Sequence, residues 1–296
     1  MSDLPAVSVV ASPGKRAQIL ELAAELDRRG FAGLACPSLG GAMSLCASLA
    51  HVTERLRFWT SIQPIYLSHA SEAAASAAHL HEVSGGRFLL GLGVSHGPAL
   101  SRRGIEAGPP LADTRAYVTG VRSSGFDGPI VLATMRDRML GLALEIADGA
   151  VWANSSRAAM PAQLARVAAS RSEGFFLGNM VPTVIDPDKR AARAVHRKTL
   201  VGYVSLPNYR NYWMDNGYAE EMAAIEAAIA AGRRDDLPSL MPDHFIDDVT
   251  LSGSATEVRD GVEAWRAAGI TTPIVVMSST SGGQAKAIRE LLDAYA

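Results

Sequence analysis

The chain has 296 residues, 48% of them hydrophobic, and its 28 Lys and Arg nearly balance its 30 Asp and Glu. This composition is sufficient for a packed globular core, and the balanced charge excludes the strongly basic surface that nucleic-acid binding needs. We therefore expect a small-molecule substrate, and neither nucleic acid nor a membrane as a partner.

The first 18 residues, MSDLPAVSVVASPGKRAQ, lack the basic and then apolar order of a signal peptide, and no apolar stretch reaches the ~18 residues of a membrane-spanning helix. Two cysteines, Cys36 and Cys46, are too few for a disulfide framework and do not have the spacing of metal ligands. These features predict a cytoplasmic protein without a metal site.

Eight short apolar runs, bounded by Gly or Pro, follow one another along the chain. They are residues 6–12, 31–38, 56–62, 87–95, 129–134, 149–155, 175–181 and 273–279. Amphipathic helical patterns separate most of them, at residues 15–29, 43–54, 70–83, 136–147 and 158–170. Apolar strands that alternate with helices are typical of a parallel sheet covered by helices. Eight such units predict a (β/α)8 TIM barrel.

The alternative fold is a doubly wound sheet, but GLGVSHG after the fourth run does not have the GxGxxG spacing of its phosphate-binding turn. Residues 186–249 fit neither a strand nor a single helix, and LPNYRNYWMDNGY interrupts them with aromatic and turn-forming residues. We interpret this region as an elaborated excursion between the seventh and eighth strands, forming a lid or a dimer surface. Without internal repeats, the chain is predicted to be one domain over residues 1–296.

The carboxyl ends of the predicted strands, where TIM barrels place their chemistry, carry neutral polar residues. They are Ser12, Ser38, Thr60, Ser61, Ser95, His96, Thr134, Asn154, Asn179, Ser278 and Ser279. None of these positions supplies a lysine for a Schiff base, a carboxylate pair or a metal-binding cluster. Such side chains bind and orient a ligand but perform little chemistry, so we expect an organic cofactor.

Several motifs, in chain order, resemble those of the bacterial-luciferase-like (LLM class) oxidoreductases over nearly the whole chain. They are FAGLACPS, TERLRFWTSIQP, VSGGRFLLGLGVSHGP, GPIVLATMRDRMLGLALEIADGAVW and LSGSATEVRDGVEAWRAAGI. LGLGVSHGP and LPNYRNYWMDNGY resemble, more narrowly, the branch that uses the deazaflavin coenzyme F420 rather than FMN. The resemblance implies a homodimer that transfers hydride between F420 and a small organic substrate. An FMN-dependent monooxygenase or reductase of the same fold, and a barrel that binds a ligand without turnover, are the alternatives.

The resemblance also implies roles for individual residues at the mouth of the barrel. A non-proline cis peptide between Ser61 and Ile62 is expected behind the deazaflavin ring. His96 falls where a related deazaflavin enzyme has a carboxylic acid that acts as the proton donor, and an imidazole with a pKa near ~6.5 suits proton transfer. The remaining predicted cofactor-binding residues outside the phosphate site are Ser38, Thr60, Gly93, Ser95 and Asn154.

The cofactor phosphate is predicted to bind where a helix follows the fifth strand, at Thr134, Met135 and Arg136, because helix N-termini favour anions. The family usually has glycines at the positions of Met135 and Arg136, so this site is altered. A second departure follows the second strand, where the family often has an acidic residue and a histidine and this chain has Ser38 and Leu39. We therefore do not expect activity on sugar phosphates.

Overall fold

A computed structural model of the protein describes residues 4–38 and 41–296. The strands in this part of the chain are β1 Ala6–Ser8, β2 Gly33–Cys36, β3 Arg57–Thr60, β4 Gln63–Pro64, β5 Phe88–Gly93, β6 Ile130–Ala133, β7 Gly149–Ala153, β8 Phe176–Ile185, β9 Leu251–Gly253 and β10 Thr272–Ser278. All eight predicted strands are therefore present, and β4 and β9 are short additions that the pattern did not reveal.

The helices of the described residues alternate with these strands. They are α1 Arg16–Arg28, α2 Ala42–Val52, α3 Ala70–Val83, α4 Gly97–Ser101, α5 Pro110–Ser123, α6 Asp137–Ile146, α7 Met160–Ala165, α8 Lys189–Val204, α9 Pro207–Asp215, α10 Ala219–Ala230, α11 Asp243–Val249, α12 Ala255–Ala267 and α13 Gln284–Ala294. Short 3-10 helices span Ala168–Ser170 and Arg234–Leu240. The strand order, the parallel pairing and the intervening helices are those of the predicted (β/α)8 TIM barrel.

The chain divides into two compact units. The first unit runs to Trp152 and includes Ala169–Gly178, and the second comprises Ala153–Ala168 and Asn179–Ala296. The prediction of one domain over residues 1–296 stays a prediction. No helix among the described residues is long and apolar enough to cross a membrane.

The first unit contains the neighbouring parallel strands β1, β2, β3, β5, β6 and β7, with β4 paired to β5. Its strands are apolar on both faces, because helices cover the outer face of the sheet and the side chains of the strands themselves pack together on the inner face. Trp59 of β3 is buried on one face, where its ring meets Phe176 at a centroid distance of 5.3 Å. Phe58, on the opposite face, packs against Phe88 at 5.8 Å.

In the second unit, β8 pairs with β9 through Thr183–Ile185 and also with β10. Residues 186–249 form the four helices α8 to α11 and a 3-10 helix, so they are neither a strand nor a single helix, as predicted. LPNYRNYWMDNGY, predicted to interrupt this region with turn-forming residues, instead contains all of α9, with Pro207 at its first turn and Gly217, at φ +99°, just beyond its end. The helix predicted over 158–170 is shorter, because α7 ends at Ala165 and a 3-10 turn follows.

Candidate active site

One face of the sheet in the first unit combines small residues with one large aromatic ring. The strand register pairs Ser8 with Ala35, Ala35 with Trp59 and Trp59 with Leu89, and the same face continues to Gly91 and Gly93 of β5 and Ala133 of β6. The small residues at the ends of β5 and β6 let these strand ends approach one another closely.

The peptide bond between Ser61 and Ile62 is cis, as the resemblance implied. The Ser61 amide donates to the carbonyl of Cys36 at 2.7 Å, which joins the end of β2 to this bend. A Cβ atom on Gly93 would lie 3.0 Å from Cγ1 of Ile62 and 2.9 Å from Cβ of Ala133. Only glycine therefore fits at position 93, and the ends of β4, β5 and β6 meet there.

Thr60, a predicted cofactor-binding residue, is fully buried. Its hydroxyl donates to the carbonyl of Gly91 at 2.7 Å and accepts from the Gly91 amide at 2.9 Å. The hydroxyl thus joins β3 to β5. Ser38, by contrast, is exposed just after β2, and its sequence neighbour Leu39 lies outside the described residues.

His96 lies three residues beyond the end of β5, at the N-cap position of α4, and its imidazole makes no capping bond to that helix. Burial lowers its pKa below the ordinary 6.5, so the imidazole is neutral at pH 7. Ser95, next to it, has a left-handed backbone with φ +66°. The candidate proton-transfer group is therefore presented by an unusual turn at the end of a buried strand.

The predicted phosphate site follows β6. Thr134 is 5% exposed and its hydroxyl has no hydrogen-bond partner, while its amide donates to the carbonyl of Val151 at 2.9 Å. Arg136 is exposed at the N-cap of α6, and Met135 is half-buried between them. A buried hydroxyl without a partner is uncommon, and a ligand oxygen at this helix start would satisfy it.

Asn154 belongs to the second unit. It is 2% exposed and has a left-handed backbone at φ +56°. Its amide donates to the Met180 carbonyl, and its carbonyl accepts from the Trp213 indole at 3.1 Å. Its side chain hydrogen-bonds the Tyr203 hydroxyl, whereas both side-chain amide atoms of fully buried Asn179 have no partner.

Sequence reasoning missed a polar network beside the cis peptide in the first unit. The Gln63 side chain donates to the Ser68 hydroxyl at 3.3 Å, and that hydroxyl bonds the hydroxyl of Tyr117 at 3.1 Å. The Tyr66 hydroxyl donates to Asp113 at 2.6 Å. The sequence signal was the polar residues that follow TSI in TSIQPIYLS, but their partners on α5 are more than 45 residues away along the chain.

Across residues 4–38 and 41–296, no group of three or more His, Cys, Asp or Glu side chains is arranged to hold a metal ion. The predicted site residues of the first unit thus contribute the neutral His96 imidazole, hydroxyls and backbone amides. Such groups orient a ligand and move one proton, but they do not carry electrons.

Comparison with known proteins gives consistent matches along the chain. The family model described as luciferase-like monooxygenase matches residues 4–124 and 119–272. A Mycobacterium tuberculosis protein, provisionally named a coenzyme F420-dependent oxidoreductase, is 27% identical over 292 residues, which cover 81% of this chain and 82% of that protein. The 5,10-methylenetetrahydromethanopterin reductase of Archaeoglobus fulgidus is 25% identical over 286 residues, with 84% of each chain covered.

Among solved structures, the coenzyme F420 dependent tetrahydromethanopterin reductase from Methanopyrus kandleri superimposes with a TM-score of 0.76. The two chains are 18% identical, and 97% of each is covered. At this identity, the likeness establishes the fold, and it agrees with the strand order described above.

Proposed function

The chain belongs to the luciferase-like monooxygenase family, and we propose that it is an oxidoreductase that transfers hydride between coenzyme F420 and a small organic substrate. The observation that carries this proposal is the buried Thr134 hydroxyl, which has no partner and lies at the start of α6, after the strand that ends at Ala133 beside Gly93 and Ile62. The names of the relatives support F420 over FMN.

The residues of the first unit fit such a cofactor. Ser61, Ile62 and Gly93, which come together at the strand ends, would lie against its tricyclic ring. The unpartnered hydroxyl of Thr134, with Met135 and Arg136 at the start of α6, would hold its phosphate. Ser38 and Ser95 are further proposed contacts, and Thr60 supports the site through Gly91. When bound, the deazaflavin supplies the hydride chemistry.

His96 is the residue of this site that can move a proton near neutral pH. Because burial keeps the imidazole neutral, it accepts a proton from a substrate that is being oxidised. In the reverse direction, it must first be protonated. The backbone around it, with Gly93 at the strand end, orients substrate and ring, which is the larger part of what this chain contributes.

A side-by-side titration with F420 and FMN tests the proposal. We expect binding of F420 in the micromolar range or tighter, followed by quenching of its fluorescence, and much weaker binding of FMN. His96→Ala is expected to leave F420 affinity within about twofold and, with a substrate in hand, to slow turnover at least about tenfold. Tight FMN binding without F420 affinity would instead favour the flavin-dependent alternative, and binding without turnover on any substrate would favour the silent barrel.

The proposal includes a cytoplasmic homodimer. Cys36 and Cys46 are buried and free, which suits a reducing compartment. A groove of about 420 Å³ lies between α2 and α3, and its lining combines small side chains such as Ala47 and Ala75 with the larger Met43, His79 and Leu80. Exposed small residues on a helix pair let a second copy approach closely, so we assign this face to self-association.

A further inference from the structure

The loop that carries His96, residues 94–109, joins β5 to α5 and contains only the short helix α4. Within it, Ser95 has a left-handed backbone, a conformation that costs a residue with a Cβ atom about 1 kcal/mol. A loop keeps such a residue only when contacts outside the turn hold it there. The described residues show such contacts at both ends of the loop.

At the start of the loop, the amide of Ile65 donates to the carbonyl of Gly93 at 3.0 Å. At its end, the Tyr66 hydroxyl donates to the carboxylate of Asp113, in the first turn of α5, at 2.6 Å. The backbone amide of Gly108 also bonds the Tyr66 oxygen. Two consecutive residues after β4 thus bind the residues that flank the loop, Gly93 in β5 and Asp113 in α5, and Tyr66 also contacts Gly108 within it.

Gly108 shows how closely the end of this loop fits. A Cβ atom there would lie 2.5 Å from Oδ2 of Asp113, the oxygen that accepts from Tyr66. Any side chain at position 108 must therefore displace the carboxylate. One helical turn further along α5, Tyr117 bonds the hydroxyl of Ser68, so α5 contacts the segment after β4 at two successive turns.

We propose that the hydrogen bond between Tyr66 and Asp113, with Gly108 beneath it, is a tether that holds loop 94–109 and thereby positions His96 at the end of β5. Tyr66 is on this account a positioning residue that acts through the loop. The link to catalysis rests on the proton-transfer role given to His96 under the proposed function, whereas the tether itself stands on the geometry of the described residues.

Hydrogen–deuterium exchange measured on Tyr66→Phe tests the tether without any ligand. The substitution removes one hydroxyl, and amide exchange in peptides from residues 94–109 is expected to rise about fivefold. Peptides from β3 and β6 should be unchanged. The imidazole ¹H–¹³C NMR signal of His96, assigned with His96→Gln, is expected to shift, which a purely structural contribution of Tyr66 elsewhere would not cause.

Three further variants sharpen the result. Asp113→Asn keeps an acceptor oxygen for Tyr66 and should retain wild-type exchange, whereas Asp113→Leu should behave like Tyr66→Phe. Gly108→Ala should also raise exchange, because its methyl group displaces the carboxylate. Gly97→Ala is the matched control in the same loop, since a Cβ atom there meets nothing within 4 Å.

The inference is overturned if Tyr66→Phe and Gly108→Ala leave the exchange of residues 94–109 at the wild-type level, or if exchange rises equally over the whole first unit. An F420 titration of the same samples separates the two proposals. Wild-type protein that fails to bind F420 contradicts the proposed function and leaves the exchange result to decide on the tether.

Discussion

Single residues of the site differ in how far their chemistry can be read from the sequence. His96 was identified from its place after an apolar strand, but the direction of its pKa shift depends on burial, which only the fold determines. Because the folded protein lowers this pKa, the neutral form of His96 persists to a pH below 6.5. Substrate oxidation that uses His96 as base should therefore lose rate only as the pH falls below that value.

This expectation is checked by NMR titration of the His96 imidazole, whose midpoint should lie below 6.5. His96→Gln identifies the signal and should remove the acidic limb from a pH profile of the oxidation rate. A midpoint at or above the ordinary value would contradict the assigned burial of the ring.

Substitution of Thr134 is expected to raise the stability of the ligand-free protein and to lower its affinity for F420. Its buried hydroxyl has no partner, so Thr134→Val should stabilise the ligand-free protein by about 1 kcal/mol, because an unsatisfied polar group is removed. F420 affinity should fall by about tenfold if the hydroxyl binds the phosphate. The measurements are thermal unfolding and the fluorescence titration.

Thr114→Val is the matched control, since the Thr114 hydroxyl on α5 is also buried and without a partner. It should raise stability without changing affinity. Equal F420 affinity for both variants and the wild type would remove Thr134 from the phosphate site.

At the scale of elements, one buried histidine links helix α8 to strand β9 by a hydrogen bond. His196 is 1% exposed and bonds the carbonyl of Leu251 in β9 at 2.9 Å. Burial lowers its pKa to about 4, whereas the unfolded chain takes up the proton near 6.5. Stability is therefore complete above pH 6.5 and is lost as the pH falls toward 4, by about 2 kcal/mol between pH 7.5 and pH 5. Urea unfolding of wild type and His196→Gln at the two pH values isolates this contribution, and the variant should show a smaller difference.

The excursion contributes α9, whose aromatic residues hold the turn after β7. The Trp213 indole donates to the carbonyl of Asn154, and the Tyr212 hydroxyl accepts from the amide of Ser156. Trp265 on α12 is equally buried, but its indole nitrogen has no partner. Trp213→Phe should therefore destabilise the protein by about 1 to 2 kcal/mol more than Trp265→Phe, because only the first change leaves a carbonyl unpaired. Equal losses in chemical denaturation would show that packing alone accounts for both.

The same element shows why sequence reasoning failed in the excursion. Asn208, Asn211 and Gly217 are typical turn residues, and they concealed a helix whose Pro207 start and Gly217 end are ordinary boundary signals. Burial against Asn154 and Phe245 stabilises α9 despite weak helical propensity, and such tertiary contacts are not visible in a local pattern. The strands were predicted correctly because β5 and β6, for example, are apolar on both faces.

At the scale of the whole molecule, the fold and the positions of the strand ends could be predicted, but the contacts between distant strand ends could not. The neutral residues after β3, β5 and β6 were predicted from their place in the chain. The hydrogen bond between the Thr60 hydroxyl and Gly91 depends on the strand register. The hydrogen bonds of Tyr66 to Asp113 on α5, and of Gln63 to Ser68 before α3, depend on where the helices lie. A one-dimensional pattern carries no information on these distances.

The proposed self-association is tested at the scale of the whole molecule. Within the described residues, the exposed large hydrophobic side chains are Val52, Leu67 and Val83, and all three lie on or beside α2 and α3. This is the helix pair that also forms the groove with Ala75. Ala75→Glu places a charge there and should convert a dimer into a monomer in light scattering coupled to gel filtration. Ala223→Glu, on exposed α10, should leave the mass unchanged. A wild-type protein that elutes as a monomer at micromolar concentration would contradict the assignment.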